Sequence, residues 1–185
     1  MKKMVAIKRL SAPLSIIKIK AKRHFWPGAS TDLHDANVIV ERKSRKTLGK
    51  VITKEKEFVI KSMRKNNPMP LAGASFTAQV DMHSKILNIA RKNGVKLNVV
   101  PTLRLITNGV EQSLIRTKLD AISISQLSRE HPDQIKPYHN ELNFSIKQLN
   151  LLGFSAGLGS FAPVKGKDGK YHPMLIDFAN VGKKR

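Results

Sequence analysis

The change from a strand period to a helical period between Met63 and Thr77 constrains this chain more than any other feature. Residues 37–41 are apolar and β-branched. Residues 47–53 and 57–63 each alternate like pleated strands, which predicts a hairpin with its turn at Lys54, Glu55 and Lys56. Asn66 to Pro70 is a break. From residue 77 to 93 the pattern is helical, with Met82, Ile86, Ile89 and Ala90 on one face and Gly94 as the stop. Two more strands are predicted over 95–106 and 112–119, around the turn pair Asn108-Gly109. Residues 120–134 read as irregular. A second helix is predicted over 135–152, with Tyr138, Leu142, Leu149 and Leu152 as its apolar stripe, Pro137 in its first turn and Gly153 at its end. A turn at residues 167–170 and a short strand over 174–176 lead into Asp177. The expected fold class is α+β.

A hydrophobic content of 41% suffices for a packed core. The 34 basic and 13 acidic residues give a formal net charge of +21, so the surface attracts polyanions. Residues 1–67 hold 18 basic and 5 acidic side chains, which makes the N-terminal part the more polyanion-facing one. Residues 1–24 read as a basic N-terminal arm or an edge strand. Such an arm could touch an anionic membrane or nucleic acid, although a solvated extension explains it as simply. There is no Cys, which excludes thiolate chemistry and disulfides. No apolar run is long enough for a bilayer, and Lys8, Arg9, Lys18 and Lys20 interrupt the first apolar stretch, so neither a membrane span nor a cleaved signal peptide is expected. The six His show no pairing at metal-binding spacing. Ser155 has Gly on one side only, which argues against a hydrolase nucleophile.

Several segments carry chemistry if read together. The turn Pro27-Gly28-Ala29-Ser30-Thr31 offers backbone N–H groups for phosphate oxygens, because Gly28 permits close approach. In Phe58-Val59-Ile60-Lys61, alternation puts Val59 and Lys61 on one strand face. In Met174-Leu175-Ile176-Asp177-Phe178-Ala179, a carboxylate ends an apolar strand after a long helix and a loop.

In this order the segments resemble the protein-kinase core, and are most similar to the minimal, kinase-like type III secretion effectors of bacteria. The resemblance implies a reduced two-lobe fold, with a β-rich N-lobe over residues 25–119 and a truncated helical C-lobe over 120–185. It implies ATP and Mg²⁺ as cofactors. Gly28, Ala29, Ser30 and Thr31 would cover the nucleotide, Val59 would lie against adenine, and Thr117 to Leu119 would form the hinge. Lys61 would neutralise the α- and β-phosphates, and Asp177 would bind the metal. It further implies secretion into a host cell and a host protein as the phosphate acceptor.

The sequence departs from that pattern at known positions. Anchored on Leu158, the loop places Ser155 and Gly157 where the family has His and the catalytic Asp, and Ala162 where it has a metal-binding Asn. Ala179 replaces the Gly of Asp-Phe-Gly. The first helix has no Glu to pair with Lys61; its only acid is Asp81, which reads better as a surface residue of the first turn than as the ion-pair partner. Asp168 and Glu141 are other acids open to recruitment, although nothing in the sequence brings them to a phosphate. Loss of one acid–base group costs about 10²–10⁴ in rate. Three functions are therefore carried forward: an Mg–ATP-binding kinase-like effector that phosphorylates a host protein, a catalytically inactive module that docks an acidic protein partner, and a basic nucleic-acid-binding protein.

Overall fold

The structure, a computed structural model, describes residues 15–27, 31–43, 51–63, 75–108 and 111–184. The protein is mixed α+β and divides into two compact units, residues 1–70 with 102–118 and residues 71–101 with 119–185. The chain passes back into the second unit after residue 118, and the first helix groups with that unit.

The first unit is a five-stranded antiparallel sheet of β1 (Ser15–Pro27), β2 (Thr31–Lys43), β3 (Val51–Met63), β4 (Leu103–Asn108) and β5 (Glu111–Thr117). Their spatial order is β1-β2-β3-β5-β4. Of the two readings of the basic N-terminal segment, the edge strand holds for residues 15–24, which run on to Pro27. The predicted turn at Lys54, Glu55 and Lys56 is overturned. These residues lie inside β3, paired with Val40, Ile39 and Val38. The physical reason is that the segment has no Gly, Pro or Asn to reverse the chain, while the β-branched run opposite it offers a continuous ladder. Ala36, Ile106 and Ile115 form the core on one face of the sheet, with Phe58 and Ile60 packed against them.

In the second unit α1 (Phe76–Lys92) begins at Ser75, whose side chain accepts from the Ala78 N–H, a standard helix cap. The chain turns out of it at Gly94, at φ 65°, a left-handed conformation that costs Gly little. Residues 95–102 are irregular where a strand was predicted, because Pro101 cannot continue a ladder. Val99 still bridges Leu175 in parallel fashion. A short α2 (Ile124–Glu130) occupies the segment read as irregular; it is capped by Ser123 and anchored by buried Leu127. Seven residues are too few to show a helical period. The long α3 (Ile135–Leu151) buries Tyr138, Leu142 and Leu149. Beyond it come β6 (Phe154–Ser155), the hairpin of β7 (Phe161–Lys165) and β8 (Tyr171–Leu175), and β9 (Gly182–Lys183), which returns to pair with β6. Among the described residues no helix is long and apolar enough to cross a membrane.

Candidate functional site

In the first unit the β3 register sets the candidate site. Val59 stands opposite Asp35 of β2 and Arg116 of β5, and Lys61 stands opposite Leu33 and Leu114. Directly opposed residues share a sheet face, so these six side chains lie on one side. Val59 is buried and Lys61 half-buried. The shared face predicted from alternation is thus present. Thr117 ends β5 opposite Phe58, on the other face from Val59, and is half-buried. Leu119, half-buried, opens the second segment of the second unit. Thr31 opens β2 opposite Met63, while Gly28, Ala29 and Ser30 lie outside the described residues.

The Lys61 face also carries a carboxylate that the sequence did not single out. The Lys118 ammonium donates to Asp35 Oδ2 at 3.0 Å, which raises the Lys118 pKa. Asp35 Oδ1 is buried and has no hydrogen-bond partner among the described residues. The pairing signal was non-local, since 83 residues separate the two.

In the second unit Asp177 sits two residues beyond the end of β8. Its Oδ1 accepts from the Ala179 N–H at 3.0 Å, and the N–H groups of Ile176 and Asp177 donate to the Ser160 carbonyl at 2.9 and 3.2 Å. The next residue, Phe178, is fully buried and meets the His83 ring of α1 edge-on, with centroids 5.2 Å apart. His83 Nε2 donates to the Val100 carbonyl at 2.9 Å. Burial pushes its pKa down, so the neutral ring is favoured. The Asp177 backbone is therefore tied to the turn after β6, and its neighbour is locked against α1.

The inner face of α1 reads Phe76, Gln79, His83, Ile86 and Ala90, all buried. Asp81, the only acid of this helix, is exposed, in keeping with its reading as a surface residue. The polar residues of this helix that are held inside are Gln79 and His83. Their 3–4 spacing with Phe76 and Ile86 was the signal that could have found them.

The loop residues set beside the kinase pattern have a definite setting. Gly157 is exposed, with open space where a Cβ would stand, and Ala162 is in β7 opposite Met174. Asp168 and Glu141 come together around His172. His172 Nδ1 bonds Glu141 Oε2 at 2.8 Å, and Nε2 bonds the Asp168 carboxylate at 3.0 and 3.1 Å. Both carboxylates, Glu141 first, raise the His172 pKa. Among the described residues no group of three or more His, Asp or Glu is placed to hold a metal ion. Magnesium brought in by a nucleotide needs no such cage, since one or two carboxylates and the phosphates suffice.

No protein-family model matches the chain, and no curated protein is significantly similar to it.

Proposed function

We propose that this chain is a kinase-like effector domain that binds Mg–ATP, with Lys61 as the phosphate anchor and Asp177 as the metal ligand. The observation that carries the reading is the setting of Asp177. A strand-end carboxylate follows a long helix, a short loop and a hairpin, its backbone is bonded to Ser160, and Phe178 beside it is buried against α1. Support from the other unit is the pairing of a buried Val59 with a half-buried Lys61 on one face of a central strand. A cation on a strand face neutralises phosphate charge, and a carboxylate completes a magnesium shell that the phosphates begin. The two-lobe kinase-like fold belongs to the same proposal, as do a host protein acceptor and delivery into a host cell. Calorimetric titration with Mg–ATP tests it. Saturable binding is expected, weakened at least tenfold in Lys61→Ala and in Asp177→Ala. Unchanged affinity in both variants would refute the proposal.

A second reading, a catalytically silent module on the same scaffold, is favoured by one observation. Gly157 and Ala162 carry no acid or amide at the positions where phosphotransfer uses them. The two readings differ in one outcome. Labelling of host-lysate protein from radiolabelled ATP, lost in Asp177→Ala, supports transfer; binding without such labelling supports the silent module.

A further inference from the structure

The helix α3 has two unlike faces. One buries Tyr138, Leu142 and Leu149. The opposite one, at spacings of three and four residues, presents Lys136, Asn140, Phe144, Lys147 and Leu151, all exposed. Phe144 is 60% and Leu151 78% exposed, and with Leu158 they are the large exposed hydrophobics among the described residues. Seven residues separate them, so they lie two turns apart, roughly 10 Å along the axis. Isolated exposed apolar residues are ordinary, but two aligned on one helix face, with Lys147 between them and Lys136 two turns before Phe144, form a patterned surface.

The charges say what fits there. Lys136 and Lys147 make no ion pair among the described residues. The only acid of α3, Glu141, lies on the flank and is bonded to His172. We propose that this face of α3 docks an acidic amphipathic helix of a partner protein. Apolar side chains two turns apart on that helix would cover Phe144 and Leu151, and its carboxylates would meet Lys136 and Lys147. A second copy of this chain is the poorer occupant, because it would set the same cations against each other in a molecule of net charge +21. The proposal names a partner class for the chain and does not depend on nucleotide binding.

The test uses the full chain and a fluorescein-labelled synthetic helix with Leu at two positions seven apart and Glu flanking them, read by fluorescence anisotropy. Saturable binding is expected. It should weaken at least tenfold for a peptide of the same composition with scattered Leu, and at least tenfold in Phe144→Ser/Leu151→Ser. Both side chains are exposed, so circular dichroism should show an unchanged fold. Lys136→Glu/Lys147→Glu leaves the apolar pair intact and should weaken binding as well. Equal affinity for the scattered peptide, or no loss in either double variant, overturns the proposal. So does self-association that depends on Phe144, or binding to RNA or to phosphatidylserine vesicles that depends on Phe144 and Leu151 while the peptide fails to bind.

Discussion

Single side chains show where stability is held back. Tyr138 lies under α3 with its hydroxyl buried and without a hydrogen-bond partner among the described residues. Burial alone pushes its pKa up to about 12. A buried hydroxyl with no partner costs about 1–3 kcal/mol of desolvation. Tyr138→Phe removes the oxygen and keeps the ring, so it is expected to stabilise the protein by up to about 1 kcal/mol in urea denaturation. A loss of stability would mean that the hydroxyl is satisfied in solution. Phe178 stands at the other extreme. Its ring is fully enclosed, and Phe178→Ala is expected to cost about 3–5 kcal/mol, enough to loosen the Asp177 turn as well.

At the scale of elements, the Glu141–His172–Asp168 cluster joins α3 to the β7–β8 hairpin and its turn. Ionised carboxylates only accept hydrogen bonds, so both ring nitrogens must donate, and the geometry selects the imidazolium. The turn is built around that ring, because a Cβ at Gly166 would stand 2.7 Å from Asp168 Oδ1 and 2.8 Å from the His172 ring. The folded His172 pKa is raised above its ordinary value of 6.5, so the stabilisation is complete below about pH 6.5 and is lost as pH rises through the raised value. Amide protection in the hairpin is therefore expected to fall as pH rises above about 6.5, and His172→Gln should flatten that dependence. Both carboxylates are exposed and screened by solvent, so the effect is local. His83 works in the opposite sense. Its pKa is lowered, and its contribution is present above about pH 6.5 and lost as pH falls. Protection at α1 and protection at the hairpin should thus respond to pH in opposite directions.

The legibility of these elements in the sequence follows from how local their causes are. The helices α1 and α3 were readable within a residue or two, because apolar repeats and the terminal glycines Gly94 and Gly153 are local signals. The continuity of β3 was not readable, since its charged middle becomes strand only through the partner strand β2. The alternation that aligned Val59 with Lys61 was local and held. The contacts of His172 with Glu141, across 31 residues, and of Asp35 with Lys118 depend on the fold and left no trace in spacing.

At the scale of the molecule, a strongly cationic chain presents two compact units, each holding one half of the proposed chemistry: Lys61 in the sheet unit and Asp177 in the helical one. A charge of +21 attracts any polyanion, so affinity for ATP alone would say little. What separates a built nucleotide site from a charged surface is dependence on the metal through one named carboxylate. The decisive measurement is ATP affinity with and without Mg²⁺ in the wild-type chain, Lys61→Ala and Asp177→Ala. The account expects Mg²⁺ to tighten wild-type binding, Asp177→Ala to erase that gain, and Lys61→Ala to weaken binding under both conditions. Binding that ignores Mg²⁺ in the wild type, or a magnesium effect that survives Asp177→Ala, would contradict it.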